Sequence, residues 1–374
     1  MEILLNFKHS VFILALIAFF VSHPLASSTS SDVIEMVVPS NDFPSWLTDF
    51  DPTKTLRGHA DLIVSQDGTG DYKTINEAVA AAPTGSKTRF IIYVKRGTYK
   101  EIVHIGELKT HLTIVGDGSD ATILTGSLNF KDGTKTFDSA TVAIDGDWFM
   151  AQDLWIQNTA GPAKGQAVAL RVSGNYVVIY RCRIDAYQDT LYAHSNTQFY
   201  RDCFITGTVD FICGRASAVF QNCQIEARKP TEGQSNVITA QQRGKDDKHS
   251  GFTFQNCSIK ASSDLAPLKR MVKTFLGRPW GDLSTVVFME SYMDDLIDPT
   301  GWTPWNSSTT RRLSTIFYGE YRNRGPGANT NQRVDWKGFK VITDPIEAGK
   351  FTVGEFINRD SWLNATGVPY YEGL

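Results

Sequence analysis

The 374-residue sequence has no Gly-x-Ser-x-Gly elbow, no Cys-x-x-Cys pair and only seven histidines. The first absence argues against a serine nucleophile of the α/β-hydrolase type. The second, with no Cys/His cluster anywhere in the chain, leaves a structural zinc site without support. An excess of positive charge is missing too. Lys plus Arg number 37 against 40 Asp plus Glu, a formal net charge of -3, so no cationic field is present to hold nucleic acid. Long apolar runs are confined to the N-terminus, where Lys8 precedes the run Val11 to Val21 and then small and polar residues around Ala26. That is the three-part order of a secretory signal peptide. The run is short for a membrane span, and no second run or hydrophobic C-terminal tail follows. Residues 1–26 are therefore read as a signal peptide, and the mature chain as soluble and extracellular, with no membrane attachment. Sequons at Asn306, Asn364 and Asn256 fit that route, although Asn256 falls inside a repeat. Five cysteines permit at most two internal disulfides.

Residues 27–60 are rich in Ser, Pro and Asp and lack a period, the composition of a leader or extended arm. The folded domain is expected over 61–374. Leu62 to Val64 read as a strand. Thr74-x-x-Glu77 ahead of Ala78, Val79 and Ala80 reads as a capping box, opening a short helix that Pro83 stops. Such a helix is placed to cap one end of the domain. From Phe90 onward short β-rich runs dominate, among them 90–94, 111–115 and 176–180. A weak repeat then appears: Tyr180-Arg-Cys182-Arg-Ile184, Arg201-Asp-Cys203-Phe-Ile205, Gln221-Asn-Cys223-Gln-Ile225 and Gln255-Asn-Cys257-Ser-Ile259. The first three copies recur at roughly 20 residues, a solenoid period, and the longer last step implies an inserted loop. In each copy the Cys and the following Ile point to one face of a strand. Strands stacked in this way make an all-β parallel β-helix, in which each coil buries its apolar face against its neighbours.

Five polar residues are spread over successive coils: Gln166, Gln188, Asp189, Asp210 and Arg278. Asp189 and Asp210 are 21 positions apart, about one repeat, which places them side by side on one face. Two neighbouring carboxylates cannot both ionise cheaply, so one holds its proton unless a cation intervenes. An arginine beside one of them divides the pair into an ionised base or nucleophile and a protonated acid. Glutamine amides supply neutral donors suited to an oxyanion. His194 follows Asp189 closely but stands in no motif that pairs it with a nucleophile, and it reads as a surface or core histidine.

The segments Gly97-Thr-Tyr99-Lys-Glu101, Gln166-Ala-Val-Ala-Leu170, Gln188-Asp-Thr-Leu191, Asp210-Phe-Ile-Cys-Gly214 and Leu276-Gly-Arg-Pro-Trp280 resemble, in order, the five signature segments of the plant pectin methylesterases. The resemblance runs from about Asp61 to the C-terminus and takes in Tyr318-Gly-Glu-Tyr321 and Gly325-Pro-Gly327. It implies a right-handed parallel β-helix and hydrolysis of the C6 methyl esters of pectin in the cell wall, by a monomer that needs neither metal nor cofactor. The roles it implies are Asp210 as nucleophile, Arg278 holding it ionised, Asp189 as acid and then base, Gln188 and Gln166 as oxyanion donors, and Trp280 stacking on a galacturonate ring. Gln166 and Arg278 are thereby also substrate-binding. It implies a Cys223–Cys257 disulfide and, as a partner beside pectin itself, a proteinaceous pectinesterase inhibitor. The chain departs from the pattern in three places. Cys213 stands where a phenylalanine packing on the sugar is usual, Arg215 where asparagine is usual, and Trp155 where many relatives have a cysteine bonded to the one matching Cys182. Too little chain precedes Asp61 for an inhibitor-like pro-domain. A β-helix pectin depolymerase and a catalytically weak wall-binding protein are the competing readings.

Overall fold

The computed structural model describes residues 56–247, 249–358 and 360–374, together with the backbone of the two-residue strand Met36–Val37. Residues 1–26, read from the sequence as a signal peptide, lie outside these residues, and so does most of 27–60, read as a leader. Where the end of that leader is described, it packs on the body. Leu56 is buried in a cluster with Ile91 and Val115, and the Arg57 guanidinium lies 3.5 Å from Asp117 and 3.7 Å from Asp153.

Three parallel sheets of eleven, eight and seven strands make up the body. Each coil gives one short strand to each sheet and then pairs, in parallel, with the coils before and after it. The result is a right-handed parallel β-helix. Register is set by identical residues meeting along the stack. Ile156, Ile184, Ile205, Ile225 and Ile259 oppose one another in successive coils, with Met293 completing the row. A second column is aromatic: Tyr200, Phe220, Phe254 and Phe288 stack with centroids 4.5, 4.6 and 4.5 Å apart. All are buried, and each such side chain contributes about 1.5–3 kcal/mol of burial to the stack.

The coils turn sharply at residues in the left-handed conformation. Arg181, Asp202, Asn222 and Asn256, each immediately before the cysteine of a repeat, have φ of 50°, 52°, 59° and 52°. Asn and Asp tolerate this region better than other side chains, which explains three of the four residue choices. His111 and Tyr176 stand at a different row of corners, where the seven-stranded sheet passes into the eleven-stranded one, at φ 57° and 56°. The strands expected over 111–115 and 176–180 therefore begin one residue later, as Leu112–Gly116 and Val177–Tyr180. Cys182, Cys203, Cys223 and Cys257 stand in one buried column below these corners. Cys223 makes sulfur contacts with both Cys203 and Cys257. The structure holds all five cysteines as thiols, so the disulfide expected between Cys223 and Cys257 is not formed in it.

Helix α1 (Ile75–Ala81) begins at the expected capping box: the Thr74 hydroxyl accepts from the Glu77 amide, and the Glu77 carboxylate accepts from the Thr74 amide. It buries Ile75, Ala78 and Val79 against the first coils. The Glu101 carboxylate accepts hydrogen bonds from the backbone amides of Ile75 and Asn76 at 3.0 Å each. These are orphan donors at the helix start.

The seven-stranded sheet carries the site. Five of its strands matter below: β1 (Leu170–Val172), β2 (Leu191–Ala193), β3 (Ile212–Gly214), β4 (Asn236–Gln241) and β5 (Thr274–Pro279). They lie side by side in chain order.

Candidate active site

Pairing across this sheet brings Arg171, Tyr192, Cys213, Ala240 and Arg278 into one row, one residue from each of β1 to β5. The last four form the floor of a cleft of about 450 Å³. Its walls are loops. Phe137 stands at the β1 side, its ring 3.8 Å from the Arg171 guanidinium. Trp280 and Trp305 stand at the β5 side, their rings parallel with centroids 6.0 Å apart. Lys135 and Thr136 complete the Phe137 wall.

At the end of the cleft where the strands begin, Asp189 and Asp210 occupy consecutive corners, both in the left-handed region with φ of 59° and 51°. The Asp189 amide donates to the Val209 carbonyl at 3.1 Å, which places the two corners one above the other. Asp210 is buried, and Arg278 reaches it from two coils away. Nε donates to Oδ1 at 2.7 Å and Nη2 to Oδ2 at 2.6 Å, a bidentate fork that fixes the carboxylate's orientation. Asp189 opens to the cleft and has no such partner among the described residues. Burial pushes its carboxyl well above the usual range, and the neighbouring Asp210 charge pushes it further, with Arg278 opposing. Burial also raises Asp210, but the Arg278 fork and its charge work against the rise. The pair thus divides as two crowded carboxylates must: Asp189 keeps the proton and Asp210 is the ionised member.

Gln166 and Gln188 pair as a parallel bridge just before β1 and β2, and both line the cleft. Neither side-chain amide has a hydrogen-bond partner among the described residues. They therefore present free N–H groups beside the two carboxylates. The constellation holds a carboxylate anchored by an arginine, a carboxyl that keeps its proton and two neutral amide donors, groups of the kind that acyl transfer uses.

The pectinesterase family model matches residues 61–360. The chain belongs to the pectinesterase family. A protein from Arabidopsis thaliana named pectinesterase/pectinesterase inhibitor 18 is 58% identical over 349 residues, covering 92% of this chain and 62% of the relative. Pectinesterase 1 of Solanum lycopersicum is 54% identical over 354 residues, covering 94% and 64%. The chain thus spans less than two thirds of the length of these two relatives. Among solved structures, pectin methylesterase from carrot superposes with a TM-score of 0.83 at 51% identity, covering 84% of this chain and 98% of that one.

In this pectinesterase-family chain, all five residues singled out from the sequence, and Trp280 with them, meet at one cleft. Of the signature segments, the first does not: Tyr99 is buried with its hydroxyl donating to the Lys95 carbonyl, and Glu101 serves helix α1. Sequence reasoning missed Phe137, Tyr192, Trp305 and Lys135. Tyr192 was within reach, because it follows Asp189 by three positions as Cys213 follows Asp210. Phe137 and Trp305 lie on loops outside the repeat, where no periodicity marks them. Gly214 ends β3 at φ 122°, and a Cβ there would meet the Ala193 carbonyl oxygen at 1.9 Å. Only glycine lets the floor strand leave the sheet at that point.

Proposed function

We propose that this chain hydrolyses the C6 methyl esters of polygalacturonate to free carboxylates and methanol through an aspartyl acyl-enzyme. The observation that carries the reading is the Arg278-clamped Asp210 beside a proton-holding Asp189. Asp210 attacks the ester carbonyl carbon, and the tetrahedral oxyanion is received by the Gln166 and Gln188 amides. Asp189 gives its proton to the methoxy oxygen, and methanol leaves. An anhydride between Asp210 and the galacturonyl carboxyl remains. The now ionised Asp189 takes a proton from water, whose oxygen attacks the galacturonyl carbon. Asp210 departs as a carboxylate, the sugar acid is released, and Asp189 again holds its proton. Trp280, Trp305 and Tyr192 offer ring faces to the sugars.

Export belongs to the same proposal, carried by the N-terminal run Val11 to Val21, and so does action as a monomer on cell-wall pectin under control by a proteinaceous inhibitor. Among the three sequons, Asn306 is exposed. Asn364 and Asn256 are only half-exposed, so Asn306 is the acceptor we favour for a glycan. Cys223 and Cys257 are proposed to bond on oxidation, their flanking residues being paired in register.

The deciding experiment measures methanol released from highly esterified pectin, alongside new reducing or unsaturated ends. Methanol without new ends is expected. New ends without methanol would identify a depolymerase and overturn the reading. Asp210→Asn, checked for native circular dichroism, is expected to lose turnover, and Gln188→Ala or Gln166→Ala to lose about 10²–10³ in kcat. Near-normal kcat in folded Asp210→Asn would sink the nucleophile assignment.

A further inference from the structure

The four repeat cysteines form one unbroken run of neighbours. The Phe204 amide donates to the Cys182 carbonyl at 2.9 Å, the Gln224 amide to that of Cys203 at 2.8 Å and the Ser258 amide to that of Cys223 at 2.9 Å. Each cysteine therefore lies beside the next in an adjacent coil. Neighbouring strands are about 4.8 Å apart, inside the Cα separations of about 4.4–6.8 Å that a disulfide spans. All four side chains are buried in the core. Neither end of the run continues in sulfur. Leu154 precedes it, its carbonyl accepting from the Arg183 amide at 2.8 Å, and Ser291 follows it, its hydroxyl accepting from the Cys257 amide at 3.0 Å.

Cys182 thus has one cysteine neighbour, Cys203, and Cys257 has one, Cys223. Neighbours allow three bridges, and only one combination of them uses every thiol of the run. Bonding Cys203 to Cys223 would strand Cys182 and Cys257 three coils apart, beyond the reach of a bridge. We propose that in the chain folded under oxidising conditions Cys182 and Cys203 are bonded alongside Cys223 and Cys257, leaving Cys213 as its single thiol. The oxidant is an external disulfide. The thiolate of one cysteine attacks a sulfur of that disulfide and releases its other half as a thiol. The partner thiolate then displaces the second half, so two cysteines are oxidised and the carrier leaves as two thiols. The step belongs to folding. Burial pushes the Cys182 thiol up to about 12 and the Cys203 thiol well above its ordinary value, so the closed coils hold almost no thiolate to begin the exchange. The bridge also has a place relative to the cleft. Cys182 stands seven residues ahead of Asp189, and Cys203 seven ahead of Asp210. It fastens together the two coils that bring those carboxylates side by side.

The test refolds the reduced, denatured chain with oxidised and reduced glutathione, alkylates it and maps the unreduced digest by mass spectrometry. Linked peptides holding Cys182 with Cys203 and Cys223 with Cys257 are expected, with the alkyl label on Cys213 alone. In Cys223→Ala the Cys182–Cys203 link is expected to persist. Label on Cys182 and Cys203 with Cys223 and Cys257 linked would overturn the new bridge alone, and a Cys203–Cys223 link as the main product would overturn both. A chain that reaches its native circular dichroism only when fully reduced would do the same. Cys203→Ala is expected to melt about 3–6 °C below the wild type when both are refolded with glutathione, and the gap to shrink when both are refolded reduced. An equal gap in the two conditions would assign the loss to packing and overturn the stabilising role of the bridge.

Discussion

Two aspartates with the same side chain take different roles because one is held by an arginine and the other is not. Burial raises both, but only Asp210 has the Arg278 fork to oppose it. The proposed mechanism requires Asp210 ionised and Asp189 protonated, and kcat/KM is expected to follow a bell-shaped pH profile. The same asymmetry has a consequence for stability. Asp189 is raised in the folded state, so its favourable contribution is complete below the unfolded value near pH 4. It is lost as pH rises, because the unfolded chain ionises while the folded one is made to keep the proton. Asp189→Asn is therefore expected to abolish turnover yet to raise Tm at neutral pH, with the gain shrinking toward pH 4. Thermal melts of wild type and variant across that range check it, and a variant less stable at neutral pH would contradict the assignment. Cys213 is the other residue-scale question. It lies on the cleft floor between Tyr192 and the small Ala240. Cys213→Phe adds a ring contact worth about 1 kcal/mol, present in ground state and transition state alike. KM for highly esterified pectin is expected to fall several-fold with kcat little changed. An unchanged KM, or a collapsed kcat, would show that residue 213 does not face the sugar.

At the scale of elements, the corners matter as much as the strands. Asp189 and Asp210 share the left-handed conformation of the structural corners Asp202, Asn222 and Asn256, so the site reuses the turn chemistry that stacks the coils. A segment that matches a family signature need not line the cleft. Glu101, in the first signature segment, caps helix α1 by accepting from the Ile75 and Asn76 amides and from the Asn76 side chain. Glu101→Ala is expected to cost about 1 kcal/mol of stability, the usual worth of a lost cap, with kcat unchanged. Urea unfolding and a methanol assay on the same preparation separate the two effects. A drop in kcat without loss of stability would return Glu101 to the catalytic account. Helix α1 itself was legible from Thr74, Glu77 and Pro83, because a capping box is a local signal. The one-residue offsets of two strands were not, because φ at His111 and Tyr176 is imposed by the stack and not by those side chains.

At the scale of the whole molecule, a solenoid makes sequence separation and spatial distance proportional along its axis. A 21-residue spacing was therefore enough to place Asp189 beside Asp210, and the repeated Cys and Ile positions were enough to foretell the coils. The sequence by itself determined the parallel β-helix, the helix that packs on its first coils and the set of polar residues that meet at the cleft, since each is written in a period or a local motif. Arg278 is the partial case: its motif named it, but only folding showed that it crosses two coils to clamp Asp210. The tertiary structure alone decided the cleft. Phe137 and Trp305 come from loops of opposite ends of the floor row, and Lys135 arrives beside one wall. None of these follows from a period, because loops leave the repeat and meet only where the coils between them set their separation.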